Sequence, residues 1–314
     1  MMQNTTISHF ILGSYLDLGY EKYLFFSMVL LLYILIVATN SSLVVLICVT
    51  RRLREPMFLF VASLFVNELY GSTGFFPFLM LQILNDVHTI SVPACYLQMF
   101  TGYTYARVEF CTLAAMSYDR YLAICCPLQY SARVTPHRVL LCICLMWLYT
   151  FVRVLIAQCL NLSQLLCGNV INSLYCMNYL VAKLLCGDLQ VMNIYGLVTT
   201  TMSIMLPLLL ILYSYLKILR IVFSGANQAR PKALGTCAPH IVSLLNFSFG
   251  CIFQVMHTRF DMSAKPDGFR NFLSLYFLIV QPLINPLMYG MQTSQIRETC
   301  KHVFSSKTAR IGET

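Results

Sequence analysis

The stretch that decides the fold of this chain reads Met116-Ser117-Tyr118-Asp119-Arg120-Tyr121-Leu122-Ala123-Ile124-Cys125-Cys126-Pro127-Leu128-Gln129-Tyr130. It places an Asp-Arg-Tyr triplet at the end of a long apolar segment. An ionised side chain at membrane depth is costly unless it is paired or reaches water. The triplet therefore predicts a functional site at the edge of a membrane.

The composition of the whole chain agrees with a membrane location. The 314 residues are 58% hydrophobic and 11% charged, and the mean hydropathy is +0.71. Soluble domains carry about 25% charged residues. The net charge of +9 comes from basic residues that lie between apolar runs rather than along one face, so we expect no nucleic-acid partner.

Seven apolar stretches are long enough to cross a bilayer, which takes roughly 20 residues. They are Tyr23–Val49, Met57–Leu84, Ala94–Ile124, Val139–Leu160, Val191–Phe223, Ala233–His257 and Asn271–Met291. The sequence therefore predicts an all-α membrane protein with a seven-helix bundle over residues 23–291. The stretch 294–304 alternates charged and apolar residues, which favours a short amphipathic helix within a tail of residues 292–314.

The loops predict the orientation of the bundle. Clusters of Arg and Lys follow the first, third and fifth spans and recur in the tail, and such loops face the cytoplasm. We therefore expect a multi-pass plasma-membrane protein with residues 1–22 outside and the C-terminus inside. The glycosylation sequon at Asn4 lies on the predicted outer side.

Four cysteines lie on that outer side: Cys95 at the start of the third span, and Cys167, Cys176 and Cys186 between spans four and five. An oxidising compartment permits disulfides there. Four cysteines allow three pairings, and their spacing does not choose among them.

The opening stretch resembles the hallmark of vertebrate odorant (olfactory) receptors, a branch of the rhodopsin-like class A G-protein-coupled receptors. Four further segments match in order: Pro56-Met57-Phe58, Ser214-Tyr215 with Ile218-Leu219, Lys232-Ala233 with Thr236-Cys237 and His240, and Pro282-Leu283-Ile284-Asn285-Pro286-Leu287-Met288-Tyr289. The short N-terminus and unusual loops suggest a fish type. One departure is Ser248, which stands where the family usually has tyrosine.

The resemblance implies a receptor, not an enzyme, that binds a small odorant and activates a heterotrimeric G protein of the stimulatory olfactory type, raising cAMP. Asp119 would restrain Arg120 until activation. The implied coupling and switch residues are Asp119, Arg120, Tyr121, Tyr215, His240, Asn285, Pro286 and Tyr289. An arginine that merely reaches the membrane interface is the alternative.

Two carboxylates, Glu68 and Glu109, lie deep within the second and third spans. With Asn40 and Asn285 they resemble the sodium pocket of rhodopsin-like receptors, and oxygen ligands suit a hard cation. No other cofactor is expected. The alternative is a protonated, hydrogen-bonded pair of carboxyl groups.

Arg107 lies in the outer half of the third span, Arg153 in the fourth, and Arg259 ends the sixth. Cations in such places are costly unless something anionic binds there. They predict a ligand with a carboxylate, sulfonate or phosphate group. The alternative is internal pairing, of Arg107 with Glu109 for example, although residues two apart on a helix do not face each other.

We expect a ligand pocket in the outer halves of spans three, five and six, because apolar walls with a few polar groups suit a small molecule. The candidate ligand-binding residues are Tyr103, Ala106, Arg107, Thr199, Thr200, Ser203 and Arg259. Two other functions are weighed against an odorant receptor. A rhodopsin-like receptor for a metabolite stays open, whereas a transporter would predict internal repeats, and none is visible.

Overall fold

Seven long helices form one bundle in a computed structural model that describes residues 7–15, 19–53, 55–186, 189–224, 230–259, 267–292 and 296–298. They are α1 (Lys22–Val49), α2 (Pro56–Leu84), α3 (Val92–Cys125), α4 (Pro136–Leu162), α5 (Leu189–Ser224), α6 (Arg230–Arg259) and α7 (Asp267–Gln292). Each predicted span lies within its helix, and every boundary agrees to within four residues. The seven-helix fold is confirmed.

Length and hydropathy alone would have found fewer of these helices. Within the described residues, three helical segments qualify as membrane-crossing on those two criteria: Gly19–Val49, Pro136–Leu162 and Ile194–Ile221. The other long helices carry polar side chains that lower their hydropathy. Glu68 and Glu109 are examples, and both are fully buried inside the bundle.

The helices begin where local chemistry favours a start. Proline opens α2 at Pro56 and α4 at Pro136, positions where a missing backbone N–H costs nothing. Ser91 and Thr135 cap α3 and α4, each side-chain oxygen accepting a hydrogen bond from a backbone N–H three residues later.

Helix α3 is the axis of the bundle. It packs extensively against α2, α4 and α5 and also contacts α6. Three clusters of buried apolar side chains follow one another along it. The first surrounds Met116 and Tyr289 near the Asp119 end, the second surrounds Tyr105 and Phe247, and the third surrounds Cys95.

A small sheet covers the opposite end, where the sequence predicted only helices and loops. Strand β1 (His9–Leu12) pairs antiparallel with β2 (Thr89–Ser91) and parallel with β3 (Val170–Ile171). Phe10 and Leu12 point inward and are buried, at 0% and 3% exposure. The sheet is a detail that the sequence did not predict, because strands of two to four residues leave no readable period.

The predicted amphipathic helix lies mostly outside the described residues. Ile296 is helical and fully buried in the cluster around Met116. Asn4, the sequon residue, also lies outside the described part of the chain.

Candidate functional site

A cavity of about 600 Å³ lies below the loop that joins α4 to α5. It is lined mainly by α3, α4, α5 and that loop, with residues of α2, α6 and α7 completing its wall. Six of the seven candidate ligand-binding residues line it: Tyr103, Ala106, Arg107, Thr199, Thr200 and Ser203. The seventh, Arg259, has a side chain outside the described part. Tyr105 does not line the cavity, although Tyr103 before it and Ala106 after it in the sequence do.

Hydroxyl groups on the α5 wall are oriented by their own helix. Thr199 Oγ1 donates to the carbonyl of Tyr195 at 2.8 Å, and Ser203 Oγ donates to the carbonyl of Thr199 at 2.6 Å. Since each proton is used on the backbone, these oxygens present lone pairs. The α5 wall therefore offers hydrogen-bond acceptors to a bound molecule.

Arg107 supplies the opposite kind of group. One guanidinium nitrogen donates to the carbonyl of Tyr103 at 3.2 Å, and the guanidinium carbon lies 5.6 Å from the centre of the Tyr103 ring. Its Nε has no hydrogen-bond partner among the described residues. Glu109 does not pair with it and accepts hydrogen bonds from Asn67, Gln281 and Asn285 instead. Arg107 is thus a half-buried cation with donor capacity to spare.

Arg153 is not brought to this wall. Arg153 lies over Tyr149, with its guanidinium carbon 5.9 Å from the ring centre, and is not among the lining residues. The described residues therefore bring Arg107, and not Arg153, to the cavity wall.

The loop between α4 and α5 crosses the top of the cavity and is held at several points. Disulfides join Cys95 to Cys176 and Cys167 to Cys186. The N–H of Cys176 donates to Gln98 Oε1 at 2.9 Å. At the far side, the hydroxyl of Tyr175 donates to the carbonyl of Ser274 in α7 at 2.9 Å. The loop thus spans the bundle from α3 to α7.

Beneath the cavity lies a buried cluster of two carboxyl groups and amide side chains. Glu68 and Glu109 are fully buried, and Asn285 Nδ2 donates to both of them, at 2.9 Å to Glu109. Two buried carboxylates need a compensating positive charge, either a proton on one of them or a cation. No salt bridge to either glutamate exists among the described residues.

The remaining donors around these carboxyl groups were not predicted from the sequence. Asn67 donates to Glu109 at 2.9 Å, Gln281 donates to Glu109 at 3.2 Å, and Tyr105 donates to Glu68 at 2.9 Å. Amides and phenols in helices are common, and their partners lie far away in sequence, so no local signal marks them.

The oxygen donors fit a small hard cation, with one change to the predicted set. Asn67 Oδ1 and Asn40 Oδ1 are both buried without a hydrogen-bond partner among the described residues. Of the two residues, Asn67 lies beside Glu109, to which its Nδ2 donates. Asn40 is anchored elsewhere, however, since its Nδ2 donates to the carbonyls of Ile36 and Pro282 at 2.9 Å each. Among the described residues, the free oxygen beside a carboxylate therefore belongs to Asn67 rather than Asn40.

At the other end of α3, Asp119 does not hold Arg120 as the resemblance implied. Asp119 Oδ1 accepts a hydrogen bond from the hydroxyl of Tyr130 at 2.9 Å, and no ion pair joins Asp119 to Arg120 within the described chain. Tyr130 lies in the short helix Pro127–Arg133 that follows α3. Burial and the neighbouring Asp119 raise the pKa of Tyr130, which keeps its donating proton in place.

Four of the other predicted switch residues lie together at the Asp119 end of the bundle. Tyr289 and His240 meet edge to face, with 3.3 Å between the Tyr289 hydroxyl and His240 Nδ1. Tyr215 and Tyr121 pack in the same apolar cluster. Asn285 belongs instead to the carboxyl cluster, one turn before Tyr289, and Pro286 follows it within α7.

An aromatic contact links the cavity floor to the carboxyl cluster. Phe247 in α6 packs between Tyr105 and Phe110 of α3, with ring centres 5.9 Å and 4.9 Å away. The neighbouring Ser248 is buried, and its hydroxyl has no partner among the described residues. In this chain Phe247 therefore makes the aromatic contact that Ser248 cannot.

Outside the spans, ionisable groups join the sheet to α1 and α2. Lys22 forms a salt bridge of 2.7 Å with Asp86, which lowers the pKa of that carboxyl group. His88 stacks on Tyr15 with ring centres 4.4 Å apart. Burial lowers the pKa of His88, outweighing the opposite effects of the Gln82 backbone and Asp86.

Comparison with known proteins agrees with this geometry. The sequence model of the olfactory receptor family matches residues 29–307. Olfactory receptor 6E1 of Mus musculus is 29% identical over 317 residues, covering 100% of both chains. Olfactory receptor 52J3 of Homo sapiens is 34% identical over 280 residues, or 88% of each chain. Squid rhodopsin matches in fold with a TM-score of 0.72 at 15% identity, over 93% of this chain and 87% of that one.

Proposed function

Since this chain belongs to the olfactory receptor family, we propose that it detects a small anionic odorant and activates a heterotrimeric G protein of the stimulatory olfactory type, raising cAMP. Membership makes it a seven-helix receptor of the plasma membrane and not an enzyme. The proposal adds the chemical class of the ligand, the G protein, and an orientation with the sheet end outside.

The single observation that carries the ligand class is Arg107. Its guanidinium lines the cavity with Nε unpartnered and no ion pair among the described residues. A carboxylate would accept charge-assisted hydrogen bonds from it, which are stronger than neutral ones. The Thr199 and Ser203 oxygens, whose protons are already donated, would accept from any donor on the same ligand.

The Asp119 end is where we propose the G protein binds. His240 of α6 contacts Tyr289 of α7 at that end, and a shift of α6 would change this contact first. A ligand can drive that shift only if it binds the active arrangement more tightly than the resting one. Phe247 connects the cavity floor to α6 and is the contact through which we propose the ligand acts.

We propose further that the carboxyl cluster binds sodium as an allosteric ion. Glu68, Glu109 and Asn67 would supply oxygen ligands, and Asn285 would orient the two carboxylates. A sodium ion supplies positive charge at that site when bound.

The test is a cAMP reporter assay in cells that express the full chain, using octanoate and its neutral methyl ester. An epitope tag before Met1, stained on intact cells, measures surface delivery and checks that the N-terminus lies outside. We expect octanoate to raise cAMP at lower concentration than the ester, and Arg120→Ala to abolish the response at equal surface level. Equal potency of acid and ester would refute the anionic class, and a response that survives Arg120→Ala would refute the coupling site.

A further inference from the structure

The walls of the cavity are unevenly sealed. Helix α3 packs closely against both α4 and α5, whereas α4 and α5 contact each other at few described residues. The cavity occupies the wedge between these two helices, with Gln158 and Asn161 on one side and Tyr195 and Thr199 on the other. Its weakest wall is therefore the seam between α4 and α5.

Two leucines mark an opening at this seam. Leu160 of α4 and Leu197 of α5 both line the cavity, and they are 45% and 49% exposed. A side chain that lines the cavity and is also exposed lies at the rim of an opening. Neighbouring outer positions are also exposed and apolar, including Ile156 and Val198. In a membrane protein such a surface contacts lipid, so the opening faces the bilayer.

Glycines widen the passage. Gly196 beside the rim and Gly102 on the α3 wall both line the cavity, and a Cβ at either would meet nothing within 4 Å. Gly71 differs, since a Cβ there would lie 2.6 Å from the Tyr105 ring. Glycine within a helix costs roughly 0.5–1 kcal/mol relative to alanine. Packing explains that cost at Gly71 but not at Gly196, where the glycine leaves free space.

The end of the bundle that carries the sheet is covered, unlike the seam between α4 and α5. The sheet lies over it, with Phe10 and Leu12 buried, and Tyr15 donates from the N-terminal segment to the carbonyl of Leu174 at 2.9 Å. Tyr175 extends the cover to α7. This cover lies over the α3 and α7 sides of the cavity. Beside α4 the lining also includes the exposed loop residues Ser163 and Gln164, and the seam between α4 and α5 has no comparable cover among the described residues.

We propose that the ligand reaches the cavity sideways from the bilayer, between α4 and α5 at Gly196, and is an amphiphile with one anionic group and an apolar chain. Leu160 lies near the end of α4 and Gly196 near the start of α5, so the opening lies close to the membrane interface. An amphiphile in that leaflet presents its charged group at this depth, and Arg107 then receives the anion. The chemical class of the ligand rests on the proposed function, whereas the route does not.

The first experiment separates access from affinity. Tritiated octanoate is bound to the full chain in lipid nanodiscs, and Gly196→Phe is compared with Gly268→Phe, a helical glycine in α7 whose Cβ would also meet open space. Because a blocked passage slows both directions, we expect Gly196→Phe to lower association and dissociation rates by about tenfold each, so that both rates change far more than Kd. Unchanged rates, or a change in Kd with no change in the dissociation rate, would overturn the route.

The second experiment needs no agonist. Cysteine placed in the cavity by Ser203→Cys is alkylated with bilayer-soluble N-phenylmaleimide or with a membrane-impermeant sulfonated maleimide, and labelling at position 203 is quantified by mass spectrometry. We expect N-phenylmaleimide to react faster than the sulfonated maleimide. Gly196→Phe should slow the reaction with N-phenylmaleimide, whereas Gly268→Phe should not. Equal labelling by both reagents would overturn the sideways route. If octanoate fails to bind, the proposed ligand class fails, and the labelling result still decides the route.

Discussion

At the scale of single residues, two arginines have similar surroundings but different expected roles, one in binding and the other in packing. Arg107 and Arg153 each lie over a tyrosine ring, at 5.6 Å and 5.9 Å, but only Arg107 is among the cavity-lining residues. We expect Arg107→Gln to raise the EC50 for octanoate about tenfold to a hundredfold, since a hydrogen bond to a charged group contributes about 1.5–3 kcal/mol. The measurement is a cAMP dose response at matched surface expression.

Arg153→Gln is the matched control and is expected to leave that EC50 unchanged. Arg107→Lys keeps the charge but loses the planar pair of donors, so its EC50 should lie between those of the wild type and Arg107→Gln. An equal shift from both glutamine variants would mean that Arg107 acts through packing or folding.

The carboxyl cluster makes a second prediction at this scale. Glu109 accepts hydrogen bonds from Asn67, Gln281 and Asn285, and Glu109→Gln keeps its shape while removing one negative charge. If the cluster binds sodium, replacing sodium with N-methylglucamine should shift the octanoate dose response of the wild type. The shift should disappear in Glu109→Gln.

A sodium-independent wild type would contradict the ion site and favour a shared proton. Asn67→Ala offers a further discriminator, since it removes the free oxygen beside Glu109 but no charge. We expect it to weaken the sodium effect, whereas a shared proton would leave the effect of sodium absent in every variant.

The sequence marked the charged members of both sites and the neutral lining of the cavity, but not most of the neutral donors around the carboxyl groups. Arg107, Glu68 and Glu109 stand out because charges are rare in apolar runs. Gln281 reaches Glu109 across 172 positions in the sequence, and nothing near Gln281 shows that contact. Asp119 shows the opposite difficulty. Its sequence neighbour Arg120 suggested an ion pair, but in the structure Asp119 accepts a hydrogen bond from Tyr130 instead.

Whole elements show the same contrast between features that the sequence predicts and features that it does not. The seven helices were predicted because hydrocarbon forces each span to satisfy its own backbone over a fixed length. The sheet was not, because its short strands pair positions as distant as Ile11 and Val170. Which cysteines join was likewise left open until the loop path was known.

The two disulfides should differ in how much they stabilise the protein. Cys95–Cys176 closes 81 positions of sequence and Cys167–Cys186 closes 19. The longer closure restricts the unfolded chain more, by about 1.3 kcal/mol in the loop-entropy treatment. We therefore expect Cys95→Ser with Cys176→Ser to lower the Tm of the purified receptor further than Cys167→Ser with Cys186→Ser.

Double serine variants avoid leaving an unpaired thiol, which makes them the matched pair for this comparison. The longer bridge also holds the loop beside Gln98, so its loss should weaken octanoate binding as well. Equal losses of Tm from the two double variants would contradict the prediction.

On the scale of the whole molecule, the stack of His88 on Tyr15 makes the cover over the cavity sensitive to acid. Burial lowers the pKa of His88 below its ordinary value of 6.5, so the folded cover disfavours the proton. Its stability is therefore complete above pH 6.5 and falls as the pH drops from 6.5 toward the lower folded pKa. We expect hydrogen exchange in residues 9–15 to be faster at pH 5.5 than at pH 7.5, relative to the intrinsic rates.

His88→Phe retains a ring for the stack on Tyr15 and should remove this dependence on pH. Asp86→Asn tests the neighbouring charge. The carboxylate of Asp86 favours the protonated histidine, so its loss should lower the folded pKa further and make the increase in exchange at pH 5.5 larger. Identical pH dependence in wild type and His88→Phe would assign the effect to another group.

Strand β1 also has a consequence for biosynthesis. Its parallel partner Val170–Ile171 is made only after the first four long helices. During that interval the backbone N–H and C=O groups on that side of β1 have no strand to pair with, and an unpaired strand edge can pair with a wrong partner. A defect in any of those four helices can therefore leave this edge of β1 unpaired.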